Sequence, residues 1–313
     1  MQSKLKGNVA MGIAKIFSGL NENALRYLLP TWMGAITGVL LRLAGGTILF
    51  FLWGKYMNHR DPSRPKASVR DRLWLFAIGV VMVYGYMWSL LEGLTYTTPI
   101  SSSIFISLQP AWVFIICLVM HTERATKGKV VGLLLGFGGA LLCILTGHHS
   151  DVATDPFRGN MYCLLSSVLY AGYLVVQKVF LKRLDNSTVS MWTFFGGAVA
   201  AVVAVLITGW DAKVFTQDLF STPMLILGFV IFFPSFISYL LQDIGLKNLP
   251  ATVVALYGEV ILVVATIASY LLGQDRFSWW QMLAIVLMLG SVYLVESAES
   301  KTSSPASSVS SSH

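Results

Sequence analysis

The sequence is short of charge. Only 12% of its residues are Asp, Glu, Lys or Arg, about half the share of an ordinary soluble domain. So little polar surface cannot cover a water-soluble globule, which excludes that class. Cysteine is scarce too. Cys117, Cys143 and Cys163 each fall inside an apolar stretch with no CxxC or other ligand spacing. A disulfide framework and a thiolate metal site are therefore excluded, and no metal or cofactor is expected. The five histidines (His59, His121, His148, His149 and His313) fall in predicted loops or the final stretch, and no catalytic motif occurs. An intramembrane enzyme would lack its chemistry. A channel would lack a filter-like segment or a ring of charge.

What is abundant is apolar: 55% of the residues are hydrophobic and the mean hydropathy is +0.69. A bilayer span takes about 20 largely apolar residues. Runs of that kind fall near 7–27, 32–54, 73–92, 99–120 and 128–147, and again near 159–180, 188–210, 223–244, 250–272 and 278–296. The expected fold is an all-α integral membrane protein of ten transmembrane helices with short connections. Lys4 and Lys6 ahead of the first run look like the start of a signal peptide. No small-x-small cleavage site precedes Asn21-Glu22-Asn23, so the run is expected to stay as an uncleaved helix. The Ser-rich stretch at 298–313 is expected to be disordered.

The net charge of +7 does not point to nucleic acid, because the basic residues sit between apolar runs rather than along one arm or face. With the N-terminus inside, sixteen Lys and Arg, among them Lys55, Arg60, Arg64 and Arg183, collect on the inner side. Only Arg26, Arg158, Lys213 and Arg276 stay outside. This bias predicts both termini in the cytoplasm of a multi-pass protein. Without an organellar signal, the expected location is a bacterial inner (cytoplasmic) membrane. Seven tryptophans, Trp32, Trp53, Trp74, Trp192, Trp210, Trp279 and Trp280, fall at predicted span ends, where indole favours the headgroup layer.

The two halves echo each other at an offset of 152 residues. Gly7-Asn8 recurs as Gly159-Asn160, Arg26 as Lys178, Gly93-Leu94 as Gly245-Leu246, Glu123 as Asp275 and Gly138 as Gly290. Pro99 and Pro250 miss by one. The repeats are expected at 1–150 and 151–297. An odd number of spans per repeat forces opposite insertion, and inverted repeats are a transporter architecture with the site near midplane.

These features resemble the EamA-type, ten-helix branch of the drug/metabolite transporter superfamily over nearly all of 5–297. The resemblance rests on Gly93-Leu94, Pro110, Glu123-Arg124 and the glycines Gly128, Gly132 and Gly136. Arg42 matches the family's arginine in the second span. Glu259-Val260 stands where the family has Glu-Pro. The resemblance implies a secondary transporter of small metabolites, with proton coupling or exchange common among its members. It implies little about which substrate.

Ionisable groups within the apolar runs are costly and so are candidate functional groups. Lys15, Arg42 and Glu259 lie near midplane, with Gln109 as the near-counterpart of Glu259 in the first repeat. Glu259 is a candidate for binding and releasing a proton, while Glu22 and Glu92 read as solvated span ends. Tyr84 and Trp88, four apart and on one helix face, and Tyr239 in the equivalent span are candidate aromatic walls. The glycine ridge 128-132-136 reads as close helix packing. Two midplane cations against one carboxylate favour a substrate with a carboxylate, such as an exported amino acid. The competing readings are efflux of cationic drugs, exchange of a sugar phosphate or nucleotide sugar and, outside transport, a membrane sensor or enzyme. Lipid and a small-molecule substrate are the expected partners, with protons as the candidate coupling ion, and a monomer suffices.

Overall fold

The computed structural model describes residues 2–120, 127–146, 153–249, 254–255, 257–275 and 278–303. Every regular element among them is helical. The first repeat holds α1 (Gln2–Leu28), α2 (Ala35–Arg60), α3 (Val69–Ile78), α4 (Tyr84–Tyr96), α5 (Pro99–Ile106), α6 (Gln109–Val119) and α7 (Lys127–Thr146). The second holds α8 (Pro156–Leu181), α9 (Asn186–Thr208), α10 (Thr222–Phe232), α11 (Ser238–Asn248), α12 (Gly258–Leu271) and α13 (Trp279–Ser303). A π turn, Gly79–Val83, joins α3 and α4 into one rod, and a second, Phe233–Ile237, joins α10 and α11. The described residues thus form ten rods, five per repeat, as the hydropathy predicts.

Helix starts follow local chemistry. Ser68 and Asp71 form a capping box on α3. Thr98 caps α5 ahead of Pro99, Asp155 caps α8 ahead of Pro156, and Asp185 caps α9. Each cap supplies an acceptor to backbone N–H groups that have no partner within the helix, and proline at the first helical position loses nothing there.

The helices turn large apolar side chains outward as well as into an apolar core, and draw charged groups inward. Leu206, Phe220 and Leu271 are 80%, 83% and 81% exposed, whereas Lys15, Glu22, Arg42, Asn160 and Asp243 are buried. An apolar exterior with the ionisable groups drawn inside is what a lipid solvent selects. Among the described residues, six helical stretches are long and apolar enough to cross a bilayer by length and composition, and shorter apolar helices fall at 130–139, 260–271 and 279–291. Trp74, Trp210, Trp279 and Trp280 stand exposed near rod ends.

Some expectations shift. The fourth span is not continuous: Pro110 has no N–H to give the preceding turn, and the helix breaks at Ser107–Leu108 between α5 and α6. In the second repeat Tyr257 forms a turn directly before α12, without the family's proline. The rest of that stretch, 250–253 and 256, lies outside the described residues. So do Glu123 and the expected repeat boundary at 150/151. Helix α13 runs on to Ser303, into the start of the Ser-rich stretch expected to be disordered, and 304–313 lie outside the described residues.

Helices α7 and α13 pair with each other beside the rest of the bundle. Ser291 Oγ donates to the Gly132 carbonyl at 2.7 Å. A Cβ on Gly136 would lie 2.8 Å from Ser291 Oγ, so two of the three ridge glycines serve this packing. The tightest crossing joins the α3 rod to α9. A Cβ on Gly79 would lie 2.0 Å from the Thr193 carbonyl oxygen, and one on Gly196 2.1 Å from that of Phe76. Backbone cannot retreat as a side chain can. Gly196→Ala is therefore expected to destabilise the protein by at least about 1–3 kcal/mol, the usual cost of overpacking. Thermal unfolding in detergent measures this, and a wild-type unfolding temperature would contradict the crossing.

Candidate functional site

A cavity of about 60 Å³ lies between the two repeats. Helix α1 contributes Lys15, Ser18, Asn21 and Glu22, one face of the helix by their spacing, and α2 contributes Arg42. Tyr86 and Leu90 come from α4, Ile106 and Gln109 from the α5–α6 break, and Ser166 and Tyr170 from α8. Pro234, Ser238, Tyr239, Gln242 and Ile261 complete the wall from the second repeat. The break puts Gln109 at the start of α6, where unpaired N–H groups add positive character beside the cavity.

Lys15, Glu22 and Arg42 are 1%, 2% and 3% exposed. Lys15 Nζ donates to Gln242 Oε1 at 3.2 Å and to the Tyr170 hydroxyl at 3.4 Å, and it lies 5.4 Å from the centre of the Tyr170 ring. Tyr170 also donates to Gln242 Oε1. Arg42 Nε donates to Ser235 Oγ at 3.0 Å. Ser102 Oγ donates to Glu22 at 2.8 Å, and the Tyr86 and Tyr239 hydroxyls bond to each other. Among the described residues no ion pair ties Lys15, Arg42 or Glu22.

Four buried polar atoms on the lining have no hydrogen-bond partner among the described residues. Two are donors, Arg42 Nη1 and Gln242 Nε2, and two are acceptors, Gln109 Oε1 and Asn21 Oδ1. A buried polar group without a partner costs about 1–3 kcal/mol, more if charged. Clustering four of them on one cavity leaves that cost for a bound polar molecule or water to offset.

The residues expected from sequence divide. Lys15, Arg42, Gln109 and Tyr239 come together on this cavity. The side chain of Glu259 lies outside what the structure describes. Tyr84 and Trp88 are not on the lining. They share a face, as expected, but the opposite one is turned inward, and Trp88 packs edge-on against Tyr162 with ring centres 5.6 Å apart. The π turn before Tyr84 adds a residue to its turn and rotates the rest of the rod, so Tyr86 faces the cavity instead. Glu22 corrects the expectation of a solvated end. It sits where the expected span placed it, within two turns of the end of α1, but α5 packs over it there and Ser102 bonds its carboxylate. Glu92 is only partly buried, near the Tyr96 hydroxyl at 3.4 Å.

Sequence reasoning also missed Ser18, Tyr86, Leu90, Tyr170, Ser238 and Gln242. A signal for them existed. At the repeat offset, Ser18 maps to Tyr170, Tyr86 to Ser238, Leu90 to Gln242 and Gln109 to Ile261, and all eight line the cavity. The axis relating the repeats therefore passes through it.

A bundle of two inverted repeats with an apolar exterior and buried charge around a cavity on their axis is the build of a membrane transporter. Residues 5–145 and 157–297 each match the EamA-like transporter family. The chain belongs to that family, within the drug/metabolite transporter superfamily, and is not an enzyme. It is 26% identical to the uncharacterized transporter YyaM of Bacillus subtilis (strain 168) over 68% of this chain and 70% of that one. It is 24% identical to an uncharacterized transporter of Haemophilus influenzae over 89% and 79%, and 23% identical to the WAT1-related protein At4g08290 of Arabidopsis thaliana over 83% and 72%. One solved crystal structure, 15% identical, aligns with a TM-score of 0.65 over 95% of this chain and 98% of that one, which shows a shared fold.

Proposed function

We propose that the chain exports a small metabolite bearing a carboxylate, an amino acid above all, by alternating access of the axial cavity. One observation carries the substrate class. The described charged groups on the lining are two cations, Lys15 and Arg42, and one carboxylate, Glu22, and Arg42 Nη1 and Gln242 Nε2 have no hydrogen-bond partner among the described residues. A carboxylate of the substrate meets those donors and the excess positive charge. An amino group meets Glu22, Asn21 Oδ1 and Gln109 Oε1.

Lipophilic cations fit less well, because Lys15 already occupies the Tyr170 ring and would repel a second cation. A sugar phosphate or nucleotide sugar would need more cations than two. Protons are the proposed coupling ion. Glu22 is the carboxyl that exchanges with them, and an inward proton gradient drives export. Both termini face the cytoplasm, as the Lys and Arg bias supports, and the proposed membrane is the cell's inner membrane. The repeats divide near residue 150, and one chain supplies the whole site.

Proteoliposomes loaded with labelled amino acids test the reading. The expected result is saturable efflux that an opposing pH gradient accelerates and unlabelled zwitterions compete for. Efflux that only organic cations inhibit would overturn the substrate class.

A further inference from the structure

Two helix crossings, one at each end of the cavity, are copies of each other at the 152-residue offset. At one end, the last turn of α4 meets the first turns of α8. A Cβ on Gly93 would lie 2.7 Å from Cys163 Sγ and 2.9 Å from the Gly159 carbonyl oxygen, and one on Gly159 2.7 Å from Thr97 Cβ. At the other end, the last turn of α11 meets the first turns of α1. A Cβ on Gly245 would lie 2.3 Å from Met11 Sδ, and one on Gly7 3.0 Å from Leu249 Cγ. Gly93 maps to Gly245, Gly7 to Gly159, Met11 to Cys163 and Thr97 to Leu249.

Beside each crossing, a cation from the first rod of one repeat holds the end of that repeat's third rod. Arg26 of α1 donates from Nη1 to the carbonyls of Leu94 and Thr95, at 2.9 and 3.2 Å. Its repeat mate, Lys178 of α8, donates to the Leu246 carbonyl at 2.9 Å and to that of Leu249. The last carbonyls of a helix lack partners within it and carry negative character, so a cation held there is favoured. Each cation ties the first rod of its repeat to the end of the third, where that end already touches the other repeat.

We propose that these crossings are the two gates of transport, with Arg26 and Lys178 as their latches. The assignment rests on the alternating-access reading of the cavity. Because the repeats insert in opposite senses, one latch closes the cavity toward each face of the membrane. Both are formed here, and Lys15, Glu22 and Arg42 between them are withdrawn from water. Alternating access is then the release of one latch while its mate holds. Gly93, Gly159, Gly7 and Gly245 are glycines because the closed gates bring helix ends together with no room for a side chain.

The gates contain their own reporters. Cys163 sits in the Arg26 crossing, and Met11→Cys puts a thiol at the equivalent place in the Lys178 crossing. With Cys117 and Cys143 changed to serine, membrane-impermeant maleimide is applied to one face at a time in sealed vesicles. For the Lys178 reporter, Cys163 is also changed to serine. The Arg26→Met variant is expected to speed labelling of Cys163 by about tenfold or more, the effect of losing a charge-assisted hydrogen-bond set. Lys178→Met is expected to speed labelling at position 11 by a similar factor, from the opposite face. Neither is expected to speed the other's reporter. Arg26→Lys and Lys178→Arg keep the cation and are expected to stay within about threefold of the parent, which separates latch release from misfolding. Equal acceleration of both reporters by either Met variant, or of neither, would overturn the assignment. The readout needs no substrate, so a wrong substrate class leaves it intact.

Discussion

Arg42→Ala is expected to remove most of the protein's affinity for carboxylate substrates. Arg42 is 3% exposed, held through Nε by Ser235 at 3.0 Å, with Nη1 lacking a partner among the described residues on the cavity wall. Ser235 in turn donates to the Val230 carbonyl at 2.9 Å, inside the rod that carries the second π turn. The guanidinium is thus fixed before substrate arrives, and little ordering is left to oppose binding. Truncating one partner of a buried charge pair costs about 2–5 kcal/mol, so affinity should fall at least about 30-fold. A ligand at 100 times its dissociation constant stabilises the folded protein by about 2.7 kcal/mol. In the variant the same concentration should give under about 1 kcal/mol. Arg42→Lys keeps the charge but loses the planar fork, and should fall between the two.

Glu22→Gln is expected to separate exchange from pumping. The side chain lies on the same face of α1 as Lys15 and accepts from Ser102 Oγ at 2.8 Å. Glutamine preserves size and most hydrogen bonding but cannot lose a proton. Flux driven by a pH gradient should fall to the level seen without one, while substrate-for-substrate exchange across the same vesicles continues. Coupling by Glu259 instead would leave the pH-driven flux of Glu22→Gln near wild type and transfer the loss to Glu259→Gln.

The spans and their pairing into repeats were legible because lipid imposes a long apolar period that few competing structures share. Lys15 and Arg42 were legible for a related reason: a cation inside such a run must face something polar. Glu22 was not. Flanked by Asn21 and Asn23 near the end of the expected first span, it reads as a solvated polar end, and only the packing of α1 against α5, with Ser102 on its carboxylate, shows that it is buried. The choice of Tyr86 over Tyr84 and Trp88 was hidden too. Helical spacing groups side chains by face but does not say which face turns inward, and a π turn just upstream resets the rotation. Arg26 and Lys178 were visible as a matched pair, yet their shared task needed the ends of α4 and α11 in space. The repeat held more than was read from it, since the offset that aligned the glycines also pairs Ser18 with Tyr170 and Tyr86 with Ser238.

The central claim is that one cavity between the repeats, with Lys15 and Arg42 in it, receives a carboxylate. The most direct measurement is the unfolding temperature of the purified wild-type chain against matched ligands that differ only in charge: an amino acid, its amide or ester, and the corresponding amine. Stabilisation by the amino acid, and none by the amide, ester or amine, is the predicted result. Stabilisation by the amine alone would contradict the claim and make Glu22 the counter-charge of a cationic substrate.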